Sequence, residues 1–324
     1  MLIPTHPVRI HLAFALLLLF GVRPLLADAT QANALLQQGR VDEAAATLHE
    51  LLATQPDDAL AHQLLCRVYY AQDMADHAIH ECELAVASAP SNSDNQRWLG
   101  CAYGFKASHA NPLSALSLAV KVRIAFERAV QLDSQNVQAM NDLGEYYVAA
   151  PSLIGGGLDK AQALAARMQP NFPSQAHRLL ALIAEKRKDT ATAEAEFTSA
   201  VAAGKTAEAY IDLGHFYERH HQLNKMLEAL QSGITADRRK GPPLVDAASI
   251  LTDAHRSPDL AEAILRTYLS SPAKSDDAPA FKVHLQLGEL LAQQGDKAGA
   301  HREYIAALAL ASNYAPARKA MQVP

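Results

Sequence analysis

The sequence lacks the features that mark most enzymes and nucleic-acid-binding proteins. Aromatic residues make up only 6% of its 324 residues, charged residues 19%, and the net charge is −5. It contains no Gly-x-Ser-x-Gly elbow, no His-Glu-x-x-His and no dinucleotide fingerprint. Its longest basic run, Arg238-Arg239-Lys240, is short, and the chain is acidic as a whole. We therefore predict a protein that is not an enzyme, has no cofactor and binds no nucleic acid.

Metal-site patterns are also missing, although the chain has 14 histidines. His215, His220 and His221 cluster near the end of one predicted helix, but no paired Cys-x-x-Cys or His-x-His tract accompanies them. Adjacent histidines at a helix end interact with the helix dipole or with solvent. We predict no metal site.

The N-terminal segment has the organisation of a secretory leader. Arg9 precedes an apolar run over 12–22, and Ala27-Asp28-Ala29 supplies the small residues needed before a cut ahead of Thr30. The run is shorter than the roughly 20 residues that span a bilayer. The sequence thus predicts a cleaved signal peptide over 1–29, a domain over 30–324, a periplasmic or secreted protein, and no stable membrane span after cleavage.

The rest of the chain repeats one weak pattern eight times, with copies about 34 residues apart. In the clearest copy, Leu287-Gly288 is followed by Leu291, Ala300 and Tyr304; in a second, Leu65-Cys66 is followed by Tyr69 and Ala78. The small residues let two antiparallel helices approach, and the large ones fill the seam to the neighbouring unit. No long run alternates with period two, so no sheet is expected.

This pattern resembles the tetratricopeptide repeat family. The resemblance implies an all-α, right-handed superhelical solenoid of about eight repeats with a last capping helix from Ala315. We expect one elongated domain, because each repeat of a solenoid contacts only its neighbours. The stretch from Ser270 to Pro279, rich in Ser, Pro and Asp, is expected to be the loosest part of the stack.

Two insertions interrupt the regular spacing in adjacent repeats. The first adds about ten residues around Gly104–Pro112 and is expected to form a loop or a short extra turn. The second, Pro151-Ser152-Leu153-Ile154-Gly155-Gly156-Gly157, resembles an insertion in a subset of exported bacterial repeat proteins. Both lengthen the turn between the two helices of a repeat, so they should emerge on the same edge. Without a P-loop Lys-Ser/Thr, the glycines are interpreted as turn residues.

The three cysteines leave two interpretations open. Cys66 and Cys82 fall at packing positions on the two helices of one repeat, where they act either as small buried residues or as a single disulfide. The β-carbon distance that a bridge requires does not follow from the sequence. Cys101 is left over in the bridged case.

The resemblance places the binding surface on the concave wall, which the first helices of the repeats build. Helical spacing from each Leu-small pair predicts a polar, arginine-rich stripe there. Arginine holds carboxylates bidentately, which favours an extended acidic peptide as partner; pairing with acids of neighbouring repeats is the alternative. The candidate groove residues are Arg67, Tyr70, Arg97, Asn141, Glu145, Arg178, His215, Arg219 and Arg256.

These observations predict a non-catalytic scaffold or adaptor of the bacterial cell envelope that binds a protein or peptide in its groove. One alternative is an accessory protein that binds a small peptide or saccharide between the two insertions, near Tyr103, Phe105 and Gly155–Gly157. A hydrolase using groove carboxylates ranks last, because nothing marks a carboxylate pair.

Overall fold

A computed structural model describes residues 28–322 of the chain. These residues form 17 α-helices, and no strand occurs among them. The predicted leader lies outside the described residues except for Asp28 and Ala29. The helices are α1 (Ala29–Gln37), α2 (Val41–Thr54), α3 (Ala59–Ala71), α4 (Ala75–Ser88), α5 (Ser93–Ser108), α6 (Pro112–Leu132), α7 (Val137–Ala149), α8 (Leu158–Met168), α9 (Pro173–Lys186), α10 (Thr190–Gly204), α11 (Ala207–Arg219), α12 (Leu223–Ala236), α13 (Pro243–Asp253), α14 (Pro258–Ser270), α15 (Ala280–Gln293), α16 (Lys297–Leu310) and α17 (Ala315–Ala320).

The helices pair as antiparallel hairpins, α1 with α2 through α15 with α16, and α17 caps the stack. Small residues allow the close approach within each pair. A β-carbon at Gly100 would collide with the ring of Phe126, and one at Gly288 with the ring of Tyr304. Side chains such as Asn92 and Asn136 accept a hydrogen bond from the third residue of the helix that follows, which fixes where that helix begins. The prediction of eight helix pairs and a capping helix is confirmed.

The stack curves until its two ends meet. The first helices of neighbouring repeats contact each other directly; α3 contacts α5, and α7 contacts α9. The second helices of neighbouring repeats lie further apart. The first helices therefore line the inside of the curve. Over eight repeats this curvature brings the turns after α1 and α3 to α15: Gly39 packs on the backbone of Ala280, and Asp73 accepts from Lys282. The expectation of an elongated stack is wrong, because repeats one and two contact repeat eight.

We call this junction between the two ends the seam. Polar contacts cross it at three places along the chain. Lys282 Nζ donates to Asp73 Oδ1 at 2.7 Å, the backbone N–H of Ser312 donates to Asp42 Oδ2 at 2.7 Å, and Arg67 binds Asp276. Buried apolar residues of the first two repeats and the last four also belong to one continuous cluster.

The segment between α14 and α15, residues 271–279, is held in place and is not loose. The Tyr268 hydroxyl, on a fully buried side chain, donates to the Ala278 carbonyl at 2.6 Å and accepts from the Ser275 N–H at 3.0 Å. Ser271 donates to the Arg239 carbonyl at 3.1 Å. The Ser-, Pro- and Asp-rich composition suggested fraying, but these tertiary hydrogen bonds satisfy the polar groups.

The two insertions take different forms. Most of the first is helical: it lengthens α5 and α6 and leaves only residues 109–111 between them, so the expectation of a loop or short extra turn that lengthens this connection is wrong. The second is a turn with a 3-10 helix at Ser152–Ile154 and Gly155 at φ 94°. Gly155 packs against the Arg123 side chain of α6, so the two insertions share one edge, as predicted.

The structure contains a disulfide between Cys66 on α3 and Cys82 on α4, with Cα atoms 5.2 Å apart. It thereby decides between the two interpretations left open by the sequence. Antiparallel pairing of these two helices places the cysteines opposite each other. Cys101 is a free thiol.

Candidate functional site

The inner wall of the curve is polar and spans several repeats, and eight of the nine candidate residues lie on it. Asn141, Glu145 and Arg178 come from α7 and α9. Arg256 is the exception: α13 ends at Asp253, so Arg256 lies exposed in the turn before α14. His255 and Ser257 adopt positive φ in that turn, which leads the chain away from the helix axis. The assignment of Arg256 to an inner helix face is therefore wrong.

Three of the candidates meet around the single tryptophan of the chain, in a cluster that we call the Trp98 corner. The guanidinium carbons of Arg67 and Arg97 lie 5.1 and 5.0 Å from the centre of the Trp98 ring. The Tyr70 ring packs on Trp98 edge to face, with centroids 5.7 Å apart. Cations placed on an aromatic ring in this way are stabilised by its quadrupole. The corner therefore holds two positive charges in fixed positions.

Each arginine of the Trp98 corner already has a carboxylate partner. Arg97 Nε donates to Asp142 Oδ2 at 2.7 Å. Arg67 grips Asp276 with two hydrogen bonds of 2.8 Å, from Nε and Nη2, and Gln37 donates to the same carboxylate at 2.7 Å. The Asp276 side chain is 6% exposed.

Burial also affects the titrating groups on this wall. It raises the pKa of the Cys101 thiol, which lies beside Asp142, to about 12. It raises the pKa of Tyr70 to about 12 as well. Both groups are therefore protonated and neutral at physiological pH.

A second cluster, which we call the Arg178 pocket, lies further along the wall. It is a cavity of about 350 Å³ whose lining includes four candidate residues together with Asp212 and Glu185. Arg178 bridges two repeats, since it contacts Glu145 at 2.7 Å and donates to Asp212 at 3.0 Å. Arg219 pairs with Glu185 at 2.7 Å. The four candidate residues of the Arg178 pocket are Glu145, Arg178, His215 and Arg219.

The charges in the Arg178 pocket are tightly coupled. Burial lowers the pKa of Arg178, but the carboxylates of Asp212 and Glu145 raise it more, so the net shift is upward. Burial raises the pKa of Asp212 against the opposing effect of Arg178. Desolvation by the groove wall, followed by the nearby Arg219, lowers the pKa of His215, whose side chain is exposed. His215 is therefore a neutral, accessible imidazole at pH 7.

Asn141 lies beside the Arg178 pocket. It lines an adjoining cavity of about 270 Å³ that shares Arg178 and Asp212 with that pocket. The remaining candidates belong to the Trp98 corner. The structure thus brings eight candidates together in two groups along one wall.

Arg97, Arg178 and Arg219 pair with acids of neighbouring repeats, which is the alternative that the sequence left open. Glu145 was a candidate residue; the other carboxylates were not named, although the sequence carries a signal for two of them. Arg97 and Arg178 each lie two positions before a Leu-small pair, and their partners Asp142 and Asp212 lie one position before the Leu-Gly pair of the next repeat. Because the same Arg–Asp pairing occurs at the same positions of two repeat junctions, we interpret it as a structural feature of the repeats and call it the carboxylate ladder. Asp276 has no such signal, because it reaches Arg67 from 209 residues away.

Three further features of the described residues concern metal binding, membrane insertion and the surface around the two insertions. In residues 28–322, no three His, Cys, Asp or Glu side chains are arranged to hold a metal ion. No helix of that described part is long and apolar enough to cross a membrane. Around the insertions, the Tyr103 hydroxyl donates to Glu83 at 2.6 Å, and Leu113 and Leu153 are 82% and 87% exposed.

Comparisons with known proteins agree with this architecture. Residues 35–98 match the model of the tetratricopeptide repeat family, and no curated protein matches the chain. The structure is similar to yeast Tom70, at 16% identity and a TM-score of 0.53 over 87% of this chain and 57% of that one. The Cut9–Hcn1 hetero-tetramer of the APC/C gives 14% identity and a TM-score of 0.40 over 90% of this chain and 54% of that one.

A thermophilic TPR protein of Thermus thermophilus gives 16% identity and a TM-score of 0.45 over 69% of this chain and 100% of that one. The chain spans only a little more than half the length of Tom70 and of the matched APC/C chain. At these identities the likeness concerns the fold alone. Residues 35–98 thus match the tetratricopeptide repeat family, and the described chain as a whole has the stacked helix pairs of a tetratricopeptide repeat solenoid.

Proposed function

We propose that the chain is a non-catalytic interaction scaffold of the bacterial cell envelope, which binds a protein or peptide partner on the inner wall of its solenoid. The observation that carries the proposal is the Arg178 pocket. Side chains from α7, α9 and α11 converge there on one accessible cavity, while the large apolar side chains pack between the repeats. Solenoids commonly use such extended concave surfaces for binding.

The chemistry of the Arg178 pocket favours a polar partner segment. Arg178 and Arg219 are both held by carboxylates, so a partner meets a wall of ion pairs and not free cations. His215 is different, because it is exposed and neutral at pH 7. We propose that His215 offers a hydrogen bond to the partner, and that a partner carboxylate exchanges with Glu185 on Arg219.

The proposed location rests on two features of the chain. The sequence carries the pattern of a secretory leader, and the disulfide between Cys66 and Cys82 suits an oxidising compartment such as the periplasm. The similarity to tetratricopeptide repeat structures supports a scaffold role, because stacked helical repeats commonly form extended surfaces that bind partners.

Cross-linking capture from the natural cell envelope tests this proposal. The bait variants are His215→Ala, which empties one wall of the Arg178 pocket, and His80→Ala, an exposed histidine on the outer helix α4. We expect a protein that the unmodified chain and His80→Ala capture and that His215→Ala captures at least tenfold less. Equal capture by all three would exclude the pocket, and no capture by any would contradict the scaffold proposal.

Charge reversal at Arg178 is a poor probe of binding. It would place a third carboxylate between Glu145 and Asp212, and breaking such a partly buried network destabilises the fold itself. Arg219→Gln is the better companion variant, since the Arg219 side chain is more exposed than that of Arg178 and has one carboxylate partner in place of two. It should weaken capture without a change in far-UV circular dichroism.

A further inference from the structure

The segment 271–279 lies inside the curve of the solenoid. Its Asp276 is bound to Arg67 on α3, and its Asp277 acts electrostatically on Arg97 of α5 and on Asp246 of α13. These helices belong to the second, third and seventh repeats. Because the two ends of the stack meet at the seam, this one connecting turn acts on first helices of three different repeats.

Asp276 is held as a bound ligand is held. Two parallel hydrogen bonds of 2.8 Å join it to Arg67, a third of 2.7 Å comes from Gln37, and its side chain is 6% exposed. Bidentate Arg–carboxylate pairs combine strength with directional specificity. Arg67 itself is oriented by the face of Trp98. The Trp98 corner is therefore a built carboxylate site whose occupant is part of the same chain.

The backbone of the segment is held on both sides of Asp276. The Tyr268 hydroxyl bonds the Ser275 N–H and the Ala278 carbonyl, and Ser271 anchors the start of the segment, so only the Asp276 side chain has to move when it leaves Arg67. A cavity of about 610 Å³ adjoins the segment, lined by Gln37, Pro272 and Lys274 among others. Release of Asp276 from Arg67 thus requires no rearrangement of the helix pairs.

We propose that the segment 271–279 is an internal ligand of the groove, and that an extended partner segment with an exposed aspartate or glutamate displaces Asp276 from Arg67. The proposal rests on the proposed function, since it concerns a partner that enters the same groove. The proposal specifies that the partner presents a carboxylate to the Trp98 corner. It also implies autoinhibition, because Asp276 occupies that position until the partner displaces it. A tethered aspartate competes at a high effective concentration, so the unmodified chain binds acidic peptides weakly.

The only tryptophan of the chain reports directly on this site. Trp98 contacts the guanidinium of Arg67, so its fluorescence emission should change when Asp276 leaves. The test compares the full chain with Asp276→Asn and with Asp57→Asn, the matched control at an exposed aspartate in the turn before α3. The probe is a synthetic peptide of residues 271–279, together with the same peptide carrying Asn in place of Asp276.

We expect Asp276→Asn to change Trp98 emission and Asp57→Asn to leave it as in the unmodified chain. The acidic peptide should restore the emission of Asp276→Asn with an affinity at least tenfold higher than that for the unmodified chain. The peptide with Asn should have no effect, and adding Arg67→Gln to Asp276→Asn should abolish the response. High peptide concentrations should displace the segment from the unmodified chain too, which tests the idea without any variant.

Equal peptide affinity for the unmodified chain and Asp276→Asn would overturn the internal ligand, as would an absence of any response up to millimolar peptide. Neither result depends on the natural partner. If the peptide test fails while His215→Ala still loses an envelope protein, the scaffold proposal stands and the segment is structural. If capture fails while the peptide test succeeds, the internal ligand stands and the envelope partner is in question.

Discussion

The junctions between neighbouring repeats and the seam between the two ends of the stack differ in chemistry. Within the stack, large side chains are buried against each other: Phe197 and Phe216 are 2% and 0% exposed, with ring centroids 5.3 Å apart. Ion pairs such as Arg97 with Asp142 are added to these junctions on the inner wall. At the seam, ion pairs such as Lys282 with Asp73 supplement the apolar contact, and a cavity remains beside the seam. We therefore expect the apolar repeat junctions to contribute more to stability than the seam does.

The largest effect should come from emptying a repeat junction. Phe197→Ala removes a ring that packs between α10 and α11, and truncation of a buried phenylalanine costs about 3–5 kcal/mol. Urea unfolding followed by circular dichroism would show it. Leu113→Ala, at a side chain 82% exposed, should change the unfolding free energy by less than about 0.5 kcal/mol. Similar losses in the two variants would contradict the apolar account of the stack.

The disulfide should have the next largest effect, because it joins the two helices of one repeat. Its cysteines are 16 residues apart, and a loop of that size contributes about 3 kcal/mol in the chain-entropy model. Urea midpoints in the presence and absence of reductant measure the loss. The double variant Cys66→Ala/Cys82→Ala should resemble the reduced protein and not respond to reductant. A response in that variant would implicate Cys101 instead.

The stack is the part of the fold that the sequence predicts well. Pairs such as Leu287-Gly288 with Tyr304 recur because each repeat must solve the same packing problem, so eight hairpins follow from periodicity alone. The carboxylate ladder of Asp142 and Asp212 was within reach of the same reasoning. The sequence marks this ladder by the position of the two aspartates, each of which lies one position before a Leu-Gly pair. The positions of the arginines alone do not identify their partners.

The seam was not predictable from the pattern. Whether the ends meet depends on a small rotation per repeat, added up over the whole stack, which no single residue encodes. The partnership of Arg67 with Asp276 exists only after that closure. The candidate groove residues were therefore placed on the correct wall except Arg256, while the occupancy of the Trp98 corner could be learned only from the structure.

Two glycines on α5 differ in how closely the partner helix approaches them. A methyl group at Gly100 would collide with the Phe126 ring, so Gly100→Ala should cost about 1–3 kcal/mol. At Gly104, one turn further on, the nearest atom is Val122 Cγ2 at 3.8 Å, and alanine should stabilise the helix by up to about 1 kcal/mol. Thermal unfolding of both variants measures the contrast. Equal shifts would show that the helices of this pair are not in tight contact.

The smallest effect concerns the groove beside the seam and appears only as a function of pH. Desolvation by the surrounding groove wall, followed by the charges of Asp212, Asp277 and Glu208, raises the pKa of Asp246 to about 6, although the edge of the side chain reaches solvent. The unfolded chain has the ordinary value of about 3.9, so the native state binds this proton more tightly and gains stability as the pH falls from above about 6 to about 4.

Asp246→Asn removes that gain together with the cost of a desolvated carboxylate near three others. The variant should therefore melt at a higher temperature than the unmodified chain at about pH 7, and at the same temperature at about pH 4. Because Asp246 is exposed to solvent, the difference should be small and should shrink further at high salt. Melting curves between about pH 4 and pH 8 test this, with the exposed Asp57→Asn as control. A difference that persists at the acidic end would mean that the substitution changes packing and not charge, and the crowding of carboxylates between the segment 271–279 and α13 would then have no energetic consequence.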